Sequence, residues 1–383
     1  MSATRLHALA LQERSTFLDL LGRFVAVESP THDKAAADRM ADLLEATLRA
    51  DGWAVAREPR AEVGDVLSAT LPGGGGAATL LLAHYDTVWP LGTLADMPWR
   101  VDVAADRAYG PGAVDMKAGI ASVVLAVRLL PRAGLAAAGP VTLLLTSDEE
   151  TGSDASRDLI EAEARRHDRV LVVEPARDDG ALKVGRKGVA GYGVDLRGVP
   201  AHAGNHPDDG ASALVELAHL VLFVRTLDDP RTGTTVHPTV ARAGGAVNVI
   251  TESARLDIDA RVLLTAEADR IDGALRAWSP RDPRVRATVS GGLNRPPMEP
   301  TEANLALFEG ARRIAAAWGP ALGSAIVGGG SDGNFTSALG VPTLDGLGAC
   351  GGGAHARDEH VRIGDTLERT ALLAALLAGL DRS

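Results

Sequence analysis

The sequence holds a single cysteine, Cys350, which excludes an intramolecular disulfide and every multi-cysteine zinc motif. Any metal centre must therefore be built from histidine and carboxylate. Lysine is almost as scarce: Lys34, Lys117, Lys183 and Lys187 stand among 39 basic residues, the rest arginine, a bias that reads as codon usage and carries no function. Basic charge is short overall. A formal net charge of −11 disfavours a nucleic-acid partner, because phosphate binding needs a basic field to release counterions, and it leaves acidic clusters available to cations. Long apolar runs are also missing. The longest, such as Val141 to Leu145 and Val170 to Val173, are strand-length, whereas a membrane-spanning helix needs about 20 apolar residues. The N-terminal stretch is interrupted by Arg5, Glu13, Arg14 and Asp19 and lacks the three-part pattern of a signal peptide, so a cytoplasmic protein without a membrane partner is expected.

What is present is a chain of 383 residues, 46% hydrophobic, longer than one hydrophobic core usually serves, so two domains are expected. Helical spacing predicts a helix around Leu11 to Phe24, a turn at Ser29-Pro30, and a helix from about Asp33 to Asp51. Apolar runs at Thr79 to Tyr85, Val141 to Ser147 and Arg169 to Glu174 read as buried strands, with a helix over Lys117 to Leu130 between them. That alternation predicts an α/β domain with a mixed, largely parallel sheet. Ligands collect at the carboxyl ends of strands in such sheets, and each of these runs terminates in His, Asp or Glu.

From about Gly185 the order becomes strand (Val189 to Leu196), helix (Gly210 to Leu227), two strands (Thr234 to Ala241, Ala254 to Val262), helix (Ala266 to Trp278) and strand (Arg284 to Ser290). This is the ferredoxin-like βαββαβ pattern of a small inserted α+β domain. Helices over Thr301 to Trp318 and Thr366 to Leu380, with strands at Ser324 to Val327 and Pro342 to Asp345, then resume the α/β pattern. The expected division is 1–184 and 296–383 for the catalytic domain and 185–295 for the insertion. The glycine stretches 73–76 and 328–330 lack the frame of a nucleotide-binding loop.

Five candidate ligands stand out: His84, Asp115, Glu150, Glu174 and His355. Five oxygen and nitrogen ligands, one shared, suit two divalent cations, and imidazole with carboxylate favours zinc, with cobalt or manganese as substitutes. Adjacent residues on a loop point in different directions, so Glu150 can bind metal while Glu149 handles a proton. In isolation the Glu149-Glu150 pair would read as a solvated helix start, and Asp86 as a loop cap. After the apolar strand, the pair falls at the active edge of the sheet, and Asp86 is placed to fix the His84 tautomer.

The ordered set His84-Tyr85-Asp86-Thr87-Val88, Tyr109-Gly110-Pro111-Gly112 with Asp115-Met116-Lys117, Glu149-Glu150-Thr151-Gly152, Glu174-Pro175 and Gly352-Gly353-Ala354-His355 resembles metallopeptidase family twenty over nearly the whole chain. That family contains glutamate carboxypeptidase, aminoacylase, acetylornithine deacetylase and succinyl-diaminopimelate desuccinylase. The resemblance implies that Asp115 bridges two metals, with His84 and Glu174 completing one site and Glu150 and His355 the other. It implies a cis peptide between Asp115 and Met116. It also implies that the inserted domain is a dimerisation lid, so that the enzyme is a homodimer in which His202, in Ala201-His202-Ala203-Gly204, reaches the partner's site and stabilises an oxyanion.

Asn248 and Arg261 match lid residues that contact a substrate carboxylate, and a guanidinium fork suits that task. The alternative for Arg261 is a surface pair with Asp257 or Asp259. Gly330 and Ser331 resemble part of a substrate-facing loop, whereas His206, His219 and His237 read as structural or exposed. Gly92-Thr93-Leu94 and Pro98-Trp99-Arg100-Val101 resemble the glutamate carboxypeptidase branch, in which Arg295 takes the place of a specificity arginine. A lysine of that branch is replaced near Ala181, with Lys183 as its substitute. The expected activity is hydrolysis of an amide next to a free carboxylate, on small peptides or folate-like conjugates. The alternatives are an N-acyl-amino-acid deacylase and a non-catalytic metal-dependent binding protein.

Overall fold

The computed structural model describes residues 2–319 and 321–382. The chain divides into two compact units, one formed by Met1–Gly185, Pro300–Ile326 and Ser331–Ser383, the other by Arg186–Glu299 and Val327–Gly330.

The first unit is built on a six-stranded mixed sheet. Its strands are β1 (Ala54–Glu58), β2 (Val66–Leu71), β3 (Thr79–His84), β4 (Val141–Thr146) and β5 (Arg169–Val172), completed by Thr343–Leu344. The spatial order is β1, β2, β4, β3, β5, then Thr343–Leu344. β4, β3, β5 and the last strand run parallel, while β1 and β2 pair antiparallel at one edge. The unbroken apolar runs of β3 and β4 follow from burial on both faces. Leu81, Ala83, Leu143 and Leu145 pack into the larger core, and Leu80, Leu82 and Leu144 into a second core on the opposite face.

The helix Ala118–Arg132 follows the Asp115 turn, and 11 of its 15 residues are buried. The helix Lys34–Ala50 starts where the Asp33 side chain accepts a hydrogen bond from the Ala36 N–H, an N-cap that satisfies one otherwise orphaned donor. The single helix expected over Leu11 to Phe24 is instead two, Ser2–Gln12 and Arg14–Val25, interrupted at Glu13, where no side-chain cap forms. Apolar spacing continues across that break, which is why periodicity alone does not register it.

A four-stranded antiparallel sheet joins Gly351–Gly352, His360–Arg362, Arg107–Tyr109 and Arg100–Asp102. It sets the 351–362 hairpin beside the approach to Asp115, with His360 opposite Tyr109.

The second unit has strands β6 (Gly188–Arg197), β7 (Thr235–Ala243), β8 (Ser253–Val262) and β9 (Arg286–Arg295), with helices Ala213–Arg225 after β6 and Thr265–Ala277 after β8. All pairs are antiparallel, in the order β7, β8, β6, β9. β8 alternates buried and more exposed positions along its length, the period of a sheet with one covered face. The covered face and the two helices share a core containing Val194, Leu196, Leu220, Ile258 and Ile271.

Candidate metal centre

His84 is the last residue of β3, and Glu150 lies in a short turn, Glu149–Thr151, directly after β4. Glu174 lies two residues beyond the end of β5. Three neighbouring parallel strands thus deliver a histidine and two carboxylates at their carboxyl ends. Asp115 comes from the turn before Ala118–Arg132, where the Asp115–Met116 peptide is cis. His355 comes from the 351–362 hairpin and is held at φ 61°, in the left-handed region that non-glycine residues rarely occupy.

These residues form two groups, His84 with Asp115 and Glu174, and Asp115 with Glu150 and His355. Asp115 belongs to both. Its Oδ1 lies 3.3 Å from His84 Nε2 and its Oδ2 lies 3.4 Å from His355 Nε2. His84 Nε2 is also 3.4 Å from Glu174 Oε1, and His355 Nε2 is 3.1 Å from Glu150 Oε2. A tetrahedral ion with bonds of about 2.0–2.1 Å separates its ligand atoms by about 3.3–3.4 Å, so the donor spacings fit a cation at the middle of each group. Glu150 Oε1 is buried and has no hydrogen-bond partner among the described residues. An uncompensated buried carboxylate oxygen is costly unless a cation faces it, which is a second sign of fit.

The electrostatics agree. Burial alone would hold His84 neutral, but Asp115, Asp86 and Glu174 lift it well above its ordinary value. Asp115 and Glu150 push His355 up to about 10. Burial works against the Asp115 charge, yet the two imidazoles hold its carboxyl far below the usual carboxylate range, while burial raises Glu150. Protons on the two imidazoles thus occupy positive-charge positions that divalent ions suit.

Asp86 is fully buried and does more than orient one imidazole. One carboxylate oxygen lies 3.3 Å from His84 Nδ1, and the same carboxylate accepts from Thr31 Oγ1 at 2.7 Å and from the backbone N–H groups of Glu149 and Glu150 at 3.3 and 3.2 Å. It ties the β3 end to the turn after β4. Glu149 belongs to neither metal-binding group.

A scan against family models matches peptidase family M20/M25/M40 over residues 80–379. The chain belongs to that family. Among curated relatives of this M20 chain, carboxypeptidase G2 of Pseudomonas sp. (strain RS-16) is 34% identical, the alignment covering 97% of this chain and 91% of the relative. Succinyl-diaminopimelate desuccinylase of Xanthomonas oryzae pv. oryzae (strain PXO99A) is 30% identical over 95% and 98%. The crystal structure of aminopeptidase PepT from Bacillus cereus ATCC 10987 shares the fold at a TM-score of 0.81 and 21% identity, covering 96% of this chain and 98% of that one. The protein is accordingly a hydrolytic enzyme of the M20 metallopeptidase and amidohydrolase group.

The remaining residues singled out in the sequence of this M20 enzyme lie mostly in the second unit. His202 is exposed, and its Nδ1 accepts from the backbone N–H groups of Gly204 and Asn205 at 3.1 and 3.0 Å, which keeps the ring proton on Nε2. Asn248 is exposed, and its carbonyl accepts from Ala203 N. Arg261 makes a forked pair with Asp259, Nη2 to Oδ2 at 2.9 Å and Nε to Oδ1 at 3.0 Å, so the surface-pair alternative describes its arrangement here. Arg295 is buried at the end of β9. Gly330 offers its carbonyl to Arg186 at 3.0 Å. Ser331, in the first unit, is buried and its hydroxyl donates to Asp345 at 2.6 Å, which commits it to the interior.

Sequence reasoning missed Glu359. Its Oε2 accepts from Trp89 Nε1 at 2.8 Å and Gly112 N at 2.9 Å, and its Oε1 from Val114 N at 2.9 Å and Asp115 N at 3.2 Å. One buried carboxylate therefore pins the turn that presents the shared ligand. The available signal was its place four residues after His355, on the same hairpin.

Among the described residues no helix is long and apolar enough to cross a membrane.

Proposed function

We propose that this enzyme is a cytoplasmic, homodimeric two-zinc hydrolase that cleaves an amide bond beside a free carboxylate, in the manner of a glutamate carboxypeptidase. The observation that carries the reading is the division of the Asp115 carboxylate between the His84 and His355 groups, with Glu149 adjoining the Glu150 ligand. The relative named carboxypeptidase G2 supports the substrate class.

His84, Asp115 and Glu174 would hold one ion, and Asp115, Glu150 and His355 the other. When bound, two such ions supply Lewis acidity toward the scissile carbonyl and toward water. Glu149 takes a proton from the attacking water as its oxygen bonds to the carbonyl carbon, and returns that proton to the leaving nitrogen as the C–N bond breaks. Asp86 positions both participants by accepting the backbone N–H groups of Glu149 and Glu150 while orienting His84. His202 of a second copy, its Nε2 carrying the proton, donates to the developing oxyanion. Asn248, Arg261 and Arg295 receive the substrate carboxylate, and the Gly330-Ser331 segment supplies backbone contacts. For Arg261 this requires exchanging Asp259 for substrate. The proposed dimer uses the second unit, whose helix Ala213–Arg225 exposes Leu214, Val215 and Leu222 and whose sheet ends in the open edge of β7.

A second reading, an N-acyl-amino-acid deacylase, is favoured by the desuccinylase relative at 30% identity. Release of glutamate from C-terminal glutamyl peptides and folate, set against release of amino acid from N-succinyl and N-acetyl substrates, separates the two. Replacing Glu149 with Gln should leave zinc content and fold intact and reduce turnover by about 10² to 10⁴. A zinc-loaded variant of full activity would refute the assignment of Glu149.

A further inference from the structure

The turn that carries Glu149 is held at its middle by Asp86, and its two ends meet a second carboxylate, that of Asp332. Thr146, the last residue of β4, lies opposite His84 in the sheet register. Its hydroxyl donates to Asp332 Oδ2 at 3.1 Å, nearer than the Ala83 carbonyl at 3.5 Å. At the far end of the turn the Ser153 hydroxyl donates to Asp332 Oδ1. Thr146, Ser153 and Asp332 are all buried. One carboxylate therefore brackets residues 147–152, with one oxygen to each side.

The backbone at Ser153 shows that its side chain has a task. The chain passes there through two successive left-handed residues, Gly152 at φ 108° and Ser153 at φ 61°. Glycine adopts that conformation freely, whereas a residue with a Cβ is strained in it and persists only where its surroundings enforce it. What serine adds over glycine is the bond to Asp332. Asp332 is itself anchored: it precedes the helix Gly333–Ala338, and its neighbour Ser331 donates its N–H to Asn334 Oδ1 at 2.9 Å and its hydroxyl to Asp345. Asp148 does not duplicate the bracket, because its carboxylate accepts from the Ala155 N–H at 2.7 Å and the Ser156 hydroxyl at 2.5 Å.

On the assignment of Glu149 as the base, we propose that Asp332 is a positioning residue for the hydrolysis: by holding Thr146 and Ser153 it fixes the turn 147–153 in the geometry at which the Glu149 carboxylate meets the attacking water. Asp332 belongs to neither metal-binding group, so it acts through the turn and not through an ion. Misplacing a reacting group by about 1 Å lowers the rate by about 100-fold, and the bracket therefore governs turnover more than substrate binding.

The test measures kcat, KM and zinc content for Ser153→Ala, Thr146→Val and Thr146→Ser in the full-length enzyme, on the glutamyl and N-succinyl substrates that separate the two readings above, with hydrogen–deuterium exchange over residues 147–153. Ser153→Ala and Thr146→Val should each lower kcat by about 10- to 100-fold, leave KM within about twofold and zinc content unchanged, and speed exchange in that segment. Thr146→Ser keeps the hydroxyl and should keep the wild-type rate. In a Glu149→Gln background, Ser153→Ala should lower the rate no further. If Ser153→Ala does not fold, Thr146→Val set against Thr146→Ser decides the matter. Exchange is read without turnover, so the two assignments fail separately: a fully active Glu149→Gln removes the base, whereas exchange unmoved in both Ser153→Ala and Thr146→Val removes the bracket whatever the base. An unchanged kcat in those zinc-loaded variants, a loss of rate that only tracks lost zinc, or a further tenfold loss in the Glu149→Gln background would also overturn the proposal.

Discussion

Replacing Glu359 with Gln tests whether the shared ligand depends on a residue that touches no metal. Both carboxylate oxygens of Glu359 accept two hydrogen bonds each, from Trp89 and Gly112 on one side and from Val114 and Asp115 on the other. Glutamine keeps one oxygen and turns an NH2 toward two donors, whichever way the amide is flipped. Two stranded buried N–H groups cost about 1–3 kcal/mol each, or about 2–6 kcal/mol together. That is a large part of the roughly 5–15 kcal/mol that holds a domain together.

Burial outweighs the pull of the hydrogen-bond donors and leaves the Glu359 carboxyl raised to about 7. With donors on both oxygens, a proton on either would have to face an N–H, so the anion is the form the geometry requires. The assay is urea unfolding of the metal-stripped protein with zinc stoichiometry on the loaded form. The expected result is a loss of about 2–6 kcal/mol and fewer than two zinc ions per chain. A loss below about 0.5 kcal/mol with full zinc would mean that Glu359 is a neutral acid already equivalent to glutamine, and the reasoning would fail.

The raised His84 and His355 values set a proton count. At pH 7 both imidazoles are protonated in the metal-free protein, so zinc loading should release about two protons, measured by calorimetry in buffers of different ionisation enthalpy; a release near zero contradicts the ligand set. Because His355 is raised from 6.5 to about 10, its contribution to metal-free stability is complete below about pH 6.5 and lost as pH rises through about 10, a trend that pH-dependent melting should follow. Asp86→Asn should lower zinc affinity by about 10- to 100-fold, read by chelator competition, and unaltered affinity would reduce Asp86 to a loop cap.

The parts of the fold that could be read from sequence are those whose signal is local. β3, β4 and β5 were visible as apolar runs because both faces of each are buried, and the chemistry was visible because His84, Glu150 and Glu174 follow those runs directly. β1 and β2 escaped notice: with Ala54, Ala56 and Thr70 exposed, their apolar stretches are too broken to offer a comparable contrast. The roles of Glu359 and Ser331 were hidden for a different reason. Each is decided by a partner distant in sequence or folded underneath, Gly112 and Asp115 for the one and Asp345 for the other, and spacing says nothing about such pairs.

The five candidate ligands, Asp115 among them, come from five separate stretches, the last of them beyond position 350. A chain emerging from the ribosome therefore carries isolated, weakly chelating side chains until the 351–362 hairpin has been made and joins the first unit. Tight cation capture can begin only once His355 has been made, and a product truncated before the 351–362 hairpin would lack that ligand and, without Glu359, the clamp that steadies the shared carboxylate.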